Sequence, residues 1–277
     1  MGSSKGKNNT LRVAVDAAMA AGKLLMASYG KLKNSQIGMK AKNDFVTEVD
    51  KKSEKLVISI IKKHFPAHAI QAEESGVSGG KELLWIIDPL DGTSNYIHHI
   101  PIFAVSIGVL ENNVPVAGVV FDPIHRELFT ARKGGGAFLN GRRFQVSKTT
   151  RLSKAFMATG IPFRARDRFH EYITSFKRIS LASVGLRRGG SAALDLAYVA
   201  CGRFDGFWEI DLSPWDIAAG ALMIEEAGGR ITDMWAKNEY FKNGDVLASN
   251  ALIHKELAAI TSGAFTTVDK DKRCLLS

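Results

Sequence analysis

The stretch WIIDPLDGTSNY (85–96) places two carboxylates, Asp88 and Asp91, where an apolar run stops, and follows them with Gly92, Thr93 and Ser94. Leu83–Ile87 reads as a buried strand, with Asp88 as its end, Pro89 as a turn and Asp91 just before a helix start. A buried strand gains nothing by ending in paired negative charge unless something positive sits there. Further acidic residues stand at other element boundaries. Glu73-Glu74-Ser75 follows the strand-like run Ala69–Ala72, Asp44 and Asp50 flank Val46-Thr47 in KNDFVTEVD (42–50) before a helix, and Asp216 follows Pro214-Trp215 in SPWDIAAG (213–220).

Carboxylates are hard oxygen donors that suit Mg²⁺ or Mn²⁺, and no Cys or His cluster offers a softer alternative. Held together without a cation they would repel and partly protonate; with one they become ligands able to neutralise a phosphate. Gly92 and Thr93 add backbone N–H groups at a helix start, ready for an anion, and the Thr93 hydroxyl can hold a water. Each acidic position alone also reads as an ordinary cap or turn. Asp50 and Asp216 sit where N-caps are expected, and Asp-Pro-x-Asp-Gly makes a respectable loop. Periodicity and composition do not show that these positions meet in space.

The elements that must position them follow from the hydrophobic period. Leu11, Val15, Ala18, Leu25 and Tyr29 mark one face of a first helix ending near Gly30, and a second helix is predicted from about Asp50 to His64. Strands follow at Ala69–Ala72, Leu83–Ile87, Phe103–Leu110, Val114–Phe121, Glu127–Ala131 and Ala137–Leu139, with Asn112-Asn113 and Asn140-Gly141 as turns. The glycine-rich KGGGAFLNG (133–141) lacks the Lys-Ser/Thr of a phosphate loop and reads as turn chemistry. Beyond about residue 145 the pattern alternates: strands at Ala155–Thr159, Phe204–Ile210 and Val246–Ala248, helices at Arg166–Arg178, Ser191–Ala200, Trp215–Ala227 and Asn250–Thr261. The chain reads as an α+β half over 1–145 and an α/β half over 146–277, in layers.

At 277 residues and 45% apolar composition the chain can bury a sizeable core. Its apolar runs are strand-length, which excludes a membrane-spanning helix, and its N-terminus does not read as a secretory signal. Two cysteines, Cys201 and Cys274, make no disulfide framework, so the expected location is cytoplasmic. Cys201 reads as a small core residue, and Cys274-Leu-Leu-Ser277 matches a prenylation box in form only. The net charge of +9 is spread along the chain and favours anionic ligands without marking a nucleic-acid site. The seven scattered histidines read as surface or turn residues, His98-His99 being nearest the acidic stretch.

WIIDPLDGTSNY together with SPWDIAAGALMIEEAGG resembles the paired signatures of the inositol monophosphatase family of Mg²⁺-dependent, lithium-sensitive phosphatases. AEES (72–75), KNDFVTEVD and RRGGSAALDLAYVACGRFDGFWE (187–209) are similar to the family's other blocks, in order and spacing, so the resemblance runs over roughly residues 8–262. It implies the layered αβαβα sugar-phosphatase fold, an α/β (α+β) architecture, and a homodimer. It implies that Glu73, Asp88, the Leu90 carbonyl and Asp91 hold one metal, that Asp88, Asp91 and Asp216 hold a second, and that Glu73 reaches a third. Most of these ligands fall in the first half of the chain; Asp216 and the substrate contacts fall in the second. By the same resemblance Asp50 and Thr93 activate the attacking water, with Glu73 counted among the catalytic groups. The Gly92 and Thr93 amides cradle the phosphate; Gly190, Ser191, Ala192 and Glu209 lie near the substrate's hydroxyls. Ser94, Tyr96 and Ser191 are mild departures from the commonest family pattern, and residues 161–180 match no family motif, so part of the substrate discrimination is expected there.

The expected activity is therefore hydrolysis of inositol 1-phosphate by an activated water, in line at phosphorus, with no covalent phosphoenzyme. Fructose-1,6-bisphosphatase, 3′-nucleotide bisphosphate phosphatase and histidinol-phosphate phosphatase are alternatives within the family. Arg164, Arg166, Arg187 and Arg188 are candidates to bind a second phosphate. A role in transcription or RNA processing, as some bacterial relatives have, is the alternative from another class; no membrane partner is expected, and the intact acidic residues weigh against a purely non-catalytic role.

Overall fold

The computed structural model describes residues 4–41, 44–80, 82–162 and 165–265. Helix α1 (Ser4–Ser28) leads to a hairpin of β1 (Ile37–Ala41) and β2 (Asp44–Thr47), then to α2 (Glu48–His64). The next segment holds β3 (Ala69–Ala72), β4 (Gly76–Gly79), β5 (Leu84–Asp91), the short α3 (Thr93–Ile97), β6 (Ala104–Glu111), β7 (Val114–Asp122), β8 (Glu127–Arg132), β9 (Gly136–Leu139) and β10 (Arg142–Arg143). These strands form an 8-stranded sheet in the order β10-β9-β8-β7-β6-β5-β3-β4. Only β3 and β5 pair in parallel. Asn112 and Asn113, at φ 52° and 61°, make the tight turn between β6 and β7 that the Asn-Asn pair predicts.

The second sheet has 5 strands in the order β12-β11-β13-β15-β14: β11 (Phe156–Thr159), β12 (Gly185–Arg187), β13 (Gly206–Glu209), β14 (Arg230–Thr232) and β15 (Val246–Ser249). Between and around them run α4 (Phe169–Ala182), α5 (Ala192–Ala200), α6 (Pro214–Glu226), α7 (Tyr240–Asn243) and α8 (His254–Ser262).

Among the described residues three large apolar cores bind these parts into αβαβα layers, the fold expected from the sequence. Val13, Ala17, Ala21 and Leu25 of α1 and Val57 and Ile61 of α2 bury against Val105, Ile107 and Val119 on one face of the large sheet. On its other face, α5 and α6 lie between Val120 and Phe129 of that sheet and Phe207, Val246 and Ala248 of the small one. Tyr172 and Ile179 of α4 and Leu257 of α8 close the far side over Met157, Trp208 and Leu247. Strands β6 and β7, covered on both faces, read as continuous apolar runs for that reason. Helix α6, covered on both sides, is apolar around most of its girth. It approaches the sheet over Gly108 and Gly118, where an added Cβ would stand 2.5 Å from the Ala218 Cβ and 2.9 Å from the Ala219 carbonyl. That close approach brings the N-terminus of α6 to the end of β5.

Some expectations need correction. Strand β5 does not end at Asp88; it continues through Pro89 and Leu90 to Asp91. The hairpin β1–β2, the edge strand β4, and the three-residue strands β12 and β14 were not expected, because polar, glycine-rich or very short segments carry no usable alternation. His68 and His254 are buried rather than surface residues. Trp85 donates its indole N–H to His68 Nδ1 at 2.9 Å, and His254 is held between the Thr232 and Ser249 hydroxyls, each at 2.9 Å. Cys201 caps the end of α5 and is half-buried. Arg164 and Cys274 lie outside the described residues. No helix among the described residues is long and apolar enough to cross a membrane.

Candidate active site

The geometry begins with a bulge. Asp88 pairs with Ser106 and Asp91 with Ala104, so the two residues between the aspartates oppose one on β6. Side chains three apart on a regular strand point to opposite faces; the extra residue returns Asp91 to the face of Asp88. Proline, lacking an N–H, is tolerated at such a bulge. Asp88 then accepts the Leu90 amide at 2.9 Å.

Helix starts supply the remaining acids, and here the N-cap expectation is corrected. Thr47 and Ser213 are the caps; Asp50 and Asp216 stand three residues on, their carboxylates accepting the Thr47 and Ser213 amides at 2.9 and 2.7 Å in reciprocal capping boxes. Asp50 has a second task. Its Oδ1 accepts the Thr93 hydroxyl at 2.8 Å while Oδ2 accepts the Thr47 hydroxyl at 2.5 Å. At the start of α5, Ser191 donates its hydroxyl to Asp91 Oδ2 at 2.5 Å and Ala193 its amide at 2.8 Å.

The result is a cleft of about 140 Å³ lined by Glu73, Asp88, Leu90, Asp91, Thr93 and Asp216 on one side. Oxygens of Asp88, Asp91 and Asp216 all lie within 4.8 Å of one another. Burial pushes the Asp88 carboxyl well above the ordinary range, and the charges of Glu73, Asp91 and Asp216 push it further. Burial also lifts Asp91, to about 6, against the hydrogen bonds from Ser191 and Ala193. Asp50 is raised by burial too, against its bonds to Thr47 and Thr93. Buried oxygens that repel one another at this spacing are a donor set suited to a hard divalent cation, so Mg²⁺ fits the residues present.

Gly92 turns the chain into α3 at φ +96°, and a Cβ there would stand 2.9 Å from the Ile102 carbonyl and 3.3 Å from that of Gly190. Asn95 fastens this turn to the next element by donating to the Ile102 carbonyl at 2.7 Å and the Gly189 carbonyl at 2.9 Å. Gly190, Ala192 and Glu209 line the cleft opposite, whereas the Ser191 hydroxyl is directed at Asp91. His98 and His99 are exposed in the turn after α3. Of the candidate arginines, Arg188 lines the cleft; Arg187 lies with its guanidinium 4.7 Å from the Phe156 ring centre.

Sequence reasoning missed Phe45, Gly160, Pro162, Asp211, Leu212 and Trp215, which complete the wall. Trp215 and Phe45 lie inside the SPWD and KNDFVTEVD blocks and were within reach, and Pro162 lies in the 161–180 segment where discrimination was expected; Gly160, Asp211 and Leu212 carry no local signal. Asp195 was missed as well. It is buried on α5, its carboxyl raised well above the ordinary range by burial and by the charges of Glu209 and Asp91, with Arg188 opposing.

A layered αβαβα fold with a carboxylate cluster at a strand bulge defines a class, and comparison with known proteins gives it a family. The model of the inositol monophosphatase family matches residues 7–265. An inositol-1-monophosphatase of Mesorhizobium japonicum is 43% identical over 89% of this chain and 94% of its own length. The Nus factor SuhB of Pseudomonas aeruginosa is 44% identical over 89% of this chain and 93% of its own. Among solved structures, the extragenic suppressor protein suhB of Bartonella henselae superposes with a TM-score of 0.89 at 42% identity, covering 91% of this chain and 98% of that one. The inositol monophosphatase of Anabaena gives a TM-score of 0.84 at 44% identity, covering 92% and 96%. The chain belongs to the inositol monophosphatase family, a family of phosphatases.

Proposed function

We propose that this protein is a Mg²⁺-dependent phosphomonoesterase that hydrolyses inositol 1-phosphate to inositol and phosphate. The observation that carries the reading is the convergence of Asp88, Asp91 and Asp216 within 4.8 Å beside the Thr93–Asp50 hydrogen bond. In this reading Glu73, Asp88, Asp91, Asp216 and the Leu90 carbonyl hold two or three cations, Mn²⁺ substituting for Mg²⁺. Bound there, the cations would neutralise the phosphate, lower the pKa of water and stabilise the leaving alkoxide.

The chain's own groups supply the rest. The Gly92 and Thr93 amides hold phosphate oxygens. Thr93, donating to Asp50, keeps a lone pair free to accept from a water and aim it in line at phosphorus. Asp50 draws the water's proton through that hydroxyl, so the O–P bond forms as the ester P–O bond breaks and the alkoxide takes a proton from solvent. Glu209 and the turn Gly190–Ala192 read the ring hydroxyls. The first half of the chain thus contributes most of the metal ligands, and the second contributes Asp216 and the substrate wall. A homodimer and inhibition by lithium go with the same reading.

The test is phosphate release from inositol 1-phosphate, fructose 1,6-bisphosphate, adenosine 3′,5′-bisphosphate, histidinol phosphate and NADP, with Mg²⁺ or EDTA, and with or without lithium. Preference for inositol 1-phosphate supports the assignment. Preference for a bisphosphate would instead make Arg188 a second-phosphate ligand. Release that persists in EDTA would sink the metal reading.

A second reading is favoured by the relatives named Nus factor SuhB at 44–45% identity, together with the +9 charge: association with RNA or the transcription machinery. RNA binding of this kind would weaken steeply with salt and need no Mg²⁺. Titration of labelled RNA over a salt series in EDTA separates the two.

A further inference from the structure

Residues 161–180, which match no family motif, bury one charged side chain among their described residues. Arg168 ends a short turn of 3-10 helix (Arg166–Arg168) ahead of α4 and makes a two-pronged pair with Asp245, Nη1 to Oδ1 at 2.9 Å and Nη2 to Oδ2 at 2.7 Å. Their side chains are 9% and 1% exposed. The guanidinium also lies 5.2 Å from the Phe265 ring centre and 6.0 Å from that of Trp235. A buried ion pair offers little net stability over apolar packing; what it fixes is geometry.

The geometry it fixes belongs to the cleft. Asp245 Oδ1 also accepts the amide of Asp211 at 3.3 Å, and the neighbouring Gly244 carbonyl accepts the Leu212 amide at 2.8 Å. Asp211 stands at φ +65°, a left-handed conformation that costs a non-glycine residue free energy and persists only where surrounding bonds impose it. Glu209, Ile210, Asp211 and Leu212 form one wall of the cleft. In α4, which Arg168 precedes, Tyr172 shares a hydrogen bond with the Thr159 hydroxyl at 3.2 Å. Thr159 precedes Gly160, which lines the adjoining wall with Pro162.

We propose that the Arg168–Asp245 pair is a positioning device for substrate discrimination: it ties the Arg166–Arg168 turn, and through Tyr172 the Thr159–Gly160 strand end, to the 209–212 loop and so sets the shape that receives the alcohol portion of the ester. The proposal rests on the phosphatase reading of the cleft. Discrimination is then set partly by residues that touch no substrate.

The experiment compares steady-state kinetics on inositol 1-phosphate and p-nitrophenyl phosphate, whose alcohol portions differ in shape and polarity. The variants are Arg168→Lys and the double replacement Arg168→Met with Asp245→Leu, which leaves no unpaired buried charge. The double variant is expected to raise KM for inositol 1-phosphate about tenfold, the equivalent of about 1.4 kcal/mol, with kcat held. Its kcat/KM for p-nitrophenyl phosphate should stay within about twofold, and Arg168→Lys, which keeps charge but loses the fork, should fall between. Equal losses on both esters, or an unchanged ratio between them, would overturn the proposal. If circular dichroism shows the double variant unfolded, a wild-type ratio in Arg168→Lys counts against it. A wild-type protein inactive on both esters in Mg²⁺ removes the phosphatase reading and this one with it, whereas an active wild type with an unchanged ratio removes only this one.

Discussion

Two groups of carboxylates, one around the small sheet and one at the cleft, differ in their surroundings. In the small sheet, Asp205 takes the Ser147 hydroxyl on one oxygen at 2.5 Å and the Phe156 amide on the other at 2.6 Å. Asp245 takes the Arg168 fork, and Asp233 takes the amides of Trp235 and Lys237 on one oxygen. At the cleft, Asp88, Asp91 and Asp216 keep oxygens turned toward one another, and Glu73 adds its charge to both Asp88 and Asp91. Buried carboxylates occur in both groups, Asp205, Asp233 and Asp245 in the first and Asp88 and Asp91 in the second. The first is matched by donors of the chain itself, as a structural acid must be; the second also accepts chain donors but turns oxygens of three aspartates together, a donor set suited to a hard cation.

The comparison can be broken most directly at Asp88. Asp88→Asn should lower Mg²⁺-dependent phosphate release by about 10³-fold, the scale of the several kcal/mol a metal site contributes to a phosphoryl transition state. The fold should survive, with a far-ultraviolet circular dichroism spectrum like that of the wild type; full turnover would refute the role. Asp245→Ala tests the other group. It strands the Arg168 charge in the interior and should cost about 3–5 kcal/mol in urea unfolding. A loss below about 1 kcal/mol would mean that the pair is dispensable for stability, on the scale of an exposed ion pair.

A buried base beside the small sheet should respond to pH in the opposite direction to the carboxyls of the cleft. His254, beside β14 and β15, is lowered to about 4 by burial, with Arg230 opposing its charge. A depressed histidine contributes stability that is fully present above its unfolded pKa and lost as pH falls through the folded one. Acid should therefore remove about 3 kcal/mol between roughly pH 6.5 and 4, and His254→Gln should flatten that slope. The cleft has the reverse sign. Raised carboxyls contribute stability that is present at low pH and lost as pH rises through their folded pKa, about 6 for Asp91. In EDTA the protein should lose on the order of 1 kcal/mol or more as pH rises from 5 to 8, and Mg²⁺ should restore it. Thermal melts across pH, with and without the ion, read both effects; a Mg²⁺ effect that does not grow with pH would break the contrast.

Much of the site was legible in the order of residues. Asp88, Asp91, Glu73, Asp50 and Asp216 were recognisable as acids at element ends, and the family blocks gave them roles. The detail that escaped was conformational. A proline after Asp88 reads locally as a strand end, but the strand continues because its pairing with β6 absorbs the extra residue as a bulge. Asp50 and Asp216 read as caps, yet the hydroxyl residues three positions earlier take that place and leave the carboxylates at the third helical position. The Gly134–Gly136 turn reads as turn chemistry and is so, its amides donating to the two oxygens of Glu226 at 2.6 and 2.7 Å. An anion cradle is present there, filled by a carboxylate from 90 residues away.

By itself the sequence determined the kinds of elements, their layering and the hard-oxygen chemistry, because hydrophobic period and residue type are local quantities. Tertiary structure alone decided which carboxylates meet. The bond from Ser191 to Asp91 joins residues 100 apart, and that from Arg168 to Asp245 joins residues 77 apart. No period spans such separations; the first is fixed by how α5 packs between the two sheets, the second by how α4 packs on the far side of the small one.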